Sequence, residues 1–255
     1  MKLLRIKLDL WEAILLAALV AVAYVGYRGR LNPNPPQSAR EMDFFRAAYG
    51  PAHNSEREEE WFIRDYFKDR RGGTFVDVGA NHYQWSSKTY YLETVLGWSG
   101  IAIEPQREFA AGYRQFRPRT KFFQLFISDR SNESAALYVL KDHPLVASGD
   151  KSFVSEFGTP DEVRQIPTIT LNDLLDSQGI KHVDFLSIDI ELHEPYALRG
   201  LDVERFSPEL VCVEGLLPVR QQILDYFAEH HYVLVGKYMW VDLENLYFIP
   251  LRHSN

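Results

Sequence analysis

The chain has 255 residues, 46% of them apolar and 25% charged, a globular balance that excludes disorder over most of its length. Net charge is -7 but unevenly placed: residues 1–40 hold Lys2, Arg5, Lys7, Arg28, Arg30 and Arg40 against only Asp9 and Glu12, so the remainder is strongly acidic and argues against a nucleic-acid-binding surface. The single cysteine, Cys212, excludes a disulfide framework and a cysteine-based zinc site.

Residues 13–27 (AILLAALVAVAYVGY) carry no charge. As a helix they span about 22 Å, short of the roughly 30 Å hydrocarbon core. With Trp11 included and Glu12, Arg28 and Arg30 reaching the interface, a single-pass anchor is the leading expectation. A cleaved signal peptide, with Ala21-Val22-Ala23 as its cleavage site, and a buried or surface helix are the alternatives. Pro33, Pro35 and Pro36 then favour an extended tether. The expected organisation is a membrane anchor over 1–30, a proline-containing linker over 31–55 and one domain over 56–255.

Residues 56–70 have the spacing of an amphipathic helix, with Phe62, Ile63, Tyr66 and Phe67 on one face. Thr74–Val78 is a buried strand, followed by the turn Gly79-Ala80-Asn81 and a helix expected over 84–96. Residues 100–103 form a second strand ending in Glu104, and Pro105 can open another helix. This order is the nucleotide-binding half of a doubly wound sheet. Gly79 permits a close approach of ligand to backbone. Glu104 can accept hydrogen bonds from both hydroxyls of a ribose, and Asp77 can orient a cationic ligand. Only one glycine stands where dinucleotide enzymes have three, which favours a nucleoside without phosphates over NAD or FAD.

Further strands are expected over 120–128 (TKFFQLFIS), ending at Asp129, and over 135–140. Residues 143–165 show little periodicity and read either as a lid over a site or as a mobile surface loop. Residues 166–170 are extended, and Thr170 or Asn172 caps a helix through 175. Residues 183–188 form a central strand delivering Asp189, Glu191, His193 and Glu194, with Pro195 opening the next helix. Residues 209–213 form a strand ending in Glu214, followed by a helix over 219–230 and strands over 232–235 and 240–250. Asp77, Glu104, Asp129, Asp189 and Glu214 all follow apolar strands, at the edge where doubly wound sheets bind ligands.

The stretches FVDVGANHYQWSSKTYYLETVLGWSGIAIEP (75–105), DFLSIDIELHEPYALRGLD (184–202) and ELVCVE (209–214), in this order and spacing, resemble the FkbM family of S-adenosylmethionine-dependent methyltransferases. The resemblance covers about residues 75–250. It implies an α/β, Rossmann-like class I methyltransferase fold with a mostly parallel doubly wound sheet. It also implies that Asp77, Gly79, Ala80, Asn81, Glu104 and Pro105 hold S-adenosylmethionine, with Ser128 and Asp129 near the adenine. Asp189, Glu191 and Glu194 match the family's acidic motif, in which Leu192 stands where a glycine is usual.

The expected reaction is methylation of a hydroxyl on a glycan, lipid-linked sugar or secondary metabolite. His193 is the leading base candidate, against a purely loop-structuring role, with Asp189 and Glu191 as further catalytic residues. His82, beside the turn, is a candidate substrate contact. Asp189, Glu191 and Glu214 could hold Mg²⁺, but acids at strand tips also cap helices and orient cofactor, so no metal is assigned. The competing readings are a membrane-tethered, non-catalytic interaction module and an NAD-dependent enzyme. Cofactor supply places the domain in the cytosol, although Lys2, Arg5 and Lys7 pull the amino end to the same side.

Overall fold

A computed structural model describes residues 37–251. The expected anchor over 1–30 lies outside them, as does the start of the tether. Among the described residues no helix is long and apolar enough to cross a membrane. The chain divides into two compact units, residues 1–44 and 45–255.

The stretch read as linker contains a helix, α1 (Gln37–Tyr49). It begins directly after Pro36 and is rich in good helix formers (Glu41, Met42, Arg46, Ala47, Ala48). Phe45 is buried, its ring edge-on to Phe62 at 4.9 Å and 6.2 Å from Tyr238. The chain continues through α2 (Glu59–Phe67), β1 (Thr74–Val78), α3 (Tyr90–Thr94), β2 (Ser99–Ile103) and α4 (Ala110–Phe116). Next come β3 (Thr120–Phe123), β4 (Phe126–Ile127), β5 (Ser134–Val139), α5 (Lys151–Phe157), β6 (Glu162–Ile169) and α6 (Leu171–Ser177). The last elements are β7 (Phe185–Ile188), α7 (Glu194–Arg199), α8 (Val203–Phe206), β8 (Leu210–Glu214), α9 (Leu217–Glu229), β9 (Tyr232–Leu234) and β10 (Asn245–Pro250).

Seven strands form the main sheet in the order β3-β2-β1-β7-β8-β10-β9. The first five run parallel, while β10 is antiparallel to both β8 and β9. β7 is buried at all four positions and β8 at its first four, which is why these strands read as continuous apolar runs rather than as alternating ones. Val76, Ile101, Ile188 and Val211 anchor one core with Leu174, Leu198, Ile223 and Phe227 from the helices. Each such side chain contributes about 1.5–3 kcal/mol by leaving water. The layout is the expected Rossmann-like α/β fold.

Four expectations need correction. Residues 120–128 are not one strand: the chain leaves the main sheet after Phe123, and Phe126–Ile127 joins a separate three-stranded sheet, β4-β6-β5, with its own small core of Phe126, Leu137, Val139 and Ile166. The helix expected over 84–96 is confined to α3, because Ser86 takes a left-handed φ of 61° and Lys88 and Thr89 turn inward onto carboxylates. Residues 143–165 are ordered into a short 3-10 turn at Pro144–Val146, then α5, then the first half of β6. The last strand starts at Asn245 rather than 240, since Asp242 accepts the amides of Glu244 and Asn245 and makes a turn there.

Candidate active site

Sheet order reverses at β1, with β2 and β3 on one side and β7 and β8 on the other. Connections then diverge and leave a crevice above the carboxyl ends of the strands. A cavity of about 650 Å³ opens there. Asp77, Gly79, Ala80, Asn81, Glu104, Pro105, Asp189 and Glu191 all line it. Eight of the expected site residues, from three separate strands, therefore meet at one cavity.

Gly79 is required by the geometry. Its φ is +79°, and an added Cβ would lie 1.7 Å from the carbonyl oxygen of Asp189. The tips of β1 and β7 thus touch, backbone to backbone. Glu104 is only 3% exposed at the end of β2. Its Oε1 accepts the amide of Gln106 at 2.8 Å and its Oε2 accepts the amide of Asn81 at 3.1 Å. Burial pushes its carboxyl up to about 7, although those two amides pull the other way. Asp77 is buried on β1 and accepts the Thr89 hydroxyl at 2.7 Å. Burial raises its carboxyl too, against that hydrogen bond and the nearby Lys88 and Arg117.

The connector 143–165 proves to be a wall. Pro144, Val146, Ser148, Phe153 and Phe157 line the cavity. The Pro144 carbonyl accepts Gln106 Nε2 at 2.8 Å and Asn81 Nδ2 at 3.4 Å, which ties this wall to the turn after β1. Ser148 donates to the Glu191 carbonyl at 2.6 Å, fixing the acidic loop from the same side.

Beyond Gly79 the cavity becomes acidic. Glu56, Glu59, Asp189, Glu191, Glu214 and Glu244 line it, with Lys88 and Arg57 as cations. Lys88 Nζ lies 2.5 Å from Asp189 Oδ2, and Arg57 pairs with Glu244 at 2.8 Å. Burial opposes the charge on Lys88, but Asp189, Cys212 and Glu59 outweigh it and hold the ammonium well above its usual range. Carboxylate oxygens of Asp189, Glu191 and Glu214 all lie within 4.8 Å of one another. Burial first, and then the charges of Asp189 and Glu194, push both Glu191 and Glu214 well above the usual carboxylate range.

His193 is not in the cavity wall. Its Nε2 lies 3.2 Å from Ser128 Oγ, and its ring stacks on Tyr196 and meets Phe126 edge-on. Burial lowers it to about 4, against the pull of Asp129, so it is a weak base in a structural nest. His82 is also outside the wall and accepts the amides of Gln84 and Trp85. Ser128 and Asp129 miss the cavity as well: the chain reaches it through Leu125, Phe126 and Ile127, while Asp129 pairs with Arg199 at 3.4 Å.

Three contributors escaped the sequence reading: Lys88, Thr89 and Arg117. Arg117 is fully buried and bonds Glu93, the Tyr83 carbonyl at 2.9 Å and Thr89 Oγ1 at 3.1 Å. It therefore positions the hydroxyl that holds Asp77. Nothing in the local sequence marks it, since a basic residue after a short helix reads as solvated. Left-handed φ values at Asn81 (45°), Ser86 (61°), Glu191 (55°) and Leu192 (73°) gather in the loops around this cavity, and such backbone persists only where its surroundings enforce it.

A family model described as the methyltransferase FkbM domain matches residues 77–234. No curated protein matches the chain. Among solved structures, it is similar to a TehB-like SAM-dependent methyltransferase from Corynebacterium glutamicum (14% identity, 85% of this chain and 100% of the other, TM-score 0.41). It is also similar to a SAM-dependent O-methyltransferase from Thermotoga maritima (10%, 82% and 71%, 0.42) and to an O-methyltransferase from Bacillus cereus in complex with SAH (13%, 89% and 95%, 0.40). Likeness this distant assigns no activity to the chain.

Proposed function

We propose, from the premise that this chain belongs to the FkbM methyltransferase family, that its cavity binds S-adenosylmethionine and passes the methyl group to a hydroxyl. The observation that carries this reading is the meeting of Gly79, Glu104 and Asp77 at the reversal of the sheet. The residues suit the cofactor. Gly79 lets the tips of β1 and β7 meet backbone to backbone at the cavity floor, and Glu104 is a buried carboxylate lining a cavity large enough for a nucleoside. When bound, S-adenosylmethionine supplies a methyl group on a positively charged sulfur.

This chain's residues divide the work. Glu104 accepts from the ribose hydroxyls, and its ties to Asn81 and Gln106 fix its direction. Leu125, Phe126 and Ile127 offer an apolar wall to the adenine, in place of the expected Ser128 and Asp129. Asp77, held by Thr89, orients the cationic end. Asp189 and Glu191 stand on the acceptor side, where the hydroxyl must lose its proton. Much of the rate comes from holding the two partners in line. The acceptor class remains a glycan, lipid-linked sugar or secondary metabolite. The apolar run 13–27 is proposed as a single-pass anchor with the domain in the cytosol, and protease protection in sealed vesicles tests that side.

The experiment is to incubate the full-length chain with methyl-labelled S-adenosylmethionine and fractionated cell extract. Label in a base-stable ether linkage is expected. Base-labile label would refute a hydroxyl acceptor, and no transfer to any fraction would favour the non-catalytic module.

A further inference from the structure

We propose that Asp189 is the base that takes the proton from the acceptor hydroxyl, and that Lys88 is the positioning residue that aims it. The inference rests on the methyltransferase reading and deepens it, by choosing among the acids at the strand tips. Asp189 follows β7 with its backbone already fixed. Its amide donates to the Val78 carbonyl at 3.0 Å, and its own carbonyl is the one that Gly79 approaches. Only its side-chain torsions remain to be set. Lys88 sets them, with Nζ 2.5 Å from Oδ2. Oδ1 is left available, in a carboxylate that is 33% exposed and lines the cavity.

Lys88 is itself held. Its side chain is 7% exposed, and the Ser87 amide beside it donates to the Asn54 carbonyl at 3.2 Å. Next to it, Thr89 donates to Asp77 at 2.7 Å. Two consecutive residues thus hold one acid each, Thr89 that of β1 and Lys88 that beyond β7, and these two strands pair in parallel. The loop that steadies the cofactor's acid also aims the acceptor's. The other acids at the strand tips are engaged or protonated. Glu104 accepts two amides, and Asp129 lies outside the cavity wall and pairs with Arg199. Glu191 and Glu214 line the cavity, but burial and their carboxylate neighbours push both up, so that they hold their protons in neutral solution. His193 is outside the wall and a weak base.

As the acceptor oxygen bonds the methyl carbon, its proton passes to Oδ1 of Asp189. The electron pair of the breaking carbon–sulfur bond stays on sulfur, which becomes a neutral thioether. The proton then leaves Asp189 for solvent. Lys88 exchanges no proton: its ammonium stays on Oδ2 and keeps the open oxygen turned to the acceptor, so its contribution is one of orientation.

The test uses the full-length chain, methyl-labelled S-adenosylmethionine and the extract fraction that the unaltered chain labels, beside calorimetry with S-adenosylmethionine alone. Asp189→Asn should cut turnover at least about a hundredfold and Lys88→Ala at least about tenfold. In both, the Kd for S-adenosylmethionine should change far less than kcat. Ethylammonium added to Lys88→Ala should restore part of the lost turnover, whereas tetramethylammonium, which donates no hydrogen bond, should not. Should Lys88→Ala fail to melt cooperatively, Lys88→Met, which keeps most of the stem, takes its place with the same expected loss of turnover. Turnover by Asp189→Asn close to that of the unaltered chain would overturn Asp189 as the base. A Lys88 variant with unchanged turnover, or with its loss in cofactor affinity rather than kcat, would overturn the positioning role. An unaltered chain that labels no fraction would strike the methyltransferase reading itself, and this inference with it.

Discussion

Glu104 carries the nucleoside half of the account, and its burial makes that half sensitive to pH. Its carboxyl is pushed up to about 7, so it is largely protonated at pH 6 and ionised at pH 8. Only the ionised form accepts from two ribose hydroxyls while keeping its bonds to Asn81 and Gln106. Affinity for 5′-methylthioadenosine, which has no group titrating in this range, should therefore rise several-fold between pH 6 and 8 by calorimetry, and Glu104→Gln should flatten the profile. The sign for stability is opposite. A raised carboxyl favours the native state below its unfolded value of about 4.3, and that contribution fades as pH rises through about 7. A second residue-scale test concerns Leu192, whose φ of 73° suits glycine. Leu192→Gly should be more stable than Leu192→Val by about 1–2 kcal/mol in urea unfolding, although glycine loses more apolar surface. The opposite order would mean that packing, not backbone conformation, governs this position.

Among the elements, the loop between β1 and α3 has the most exacting construction. The helix expected over 84–96 would occupy its second half. The side chains decide otherwise: Thr89 goes to Asp77, Lys88 to Asp189, and Arg117 reaches from the end of α4 to hold Thr89 and Glu93. Sequence patterning has no access to such a network, because its members are polar residues far apart in the chain. Arg117→Leu leaves the buried Glu93 carboxylate without its counter-charge, with only the Arg119 amide and the Thr120 hydroxyl to hold it, and should cost about 3–5 kcal/mol in unfolding free energy. It should also weaken cofactor binding, because Asp77 loses its fixed hydroxyl partner. A change below 1 kcal/mol by urea denaturation would remove Arg117 from the account. His193 illustrates the converse. Its place in an acidic loop suggested a base, yet the chain turns it onto Phe126, Tyr196 and Ser128. The direction in which a loop turns is set by backbone strain at Glu191 and Leu192, which no residue count reveals.

At the scale of the whole molecule, the sheet was legible because parallel strands buried on both faces leave apolar runs such as 185–188 and 210–213. The acids ending those runs marked the crevice, and the glycine after β1 marked its floor. What stayed hidden was the small second sheet, whose β5 and β6 are partly exposed, and which of its two readings the 143–165 connector would take, since it lines the cavity with a short helix and half a strand of its own. Both depend on long-range pairing rather than on local pattern.

All of this turns on one event, the seating of S-adenosylmethionine above Gly79. Isothermal titration of the full-length chain with S-adenosylmethionine measures it directly. One site per chain is expected, with binding abolished by Asp77→Ala in a variant that still melts cooperatively. Absence of binding to the intact chain, or equal binding to the folded variant, would contradict it.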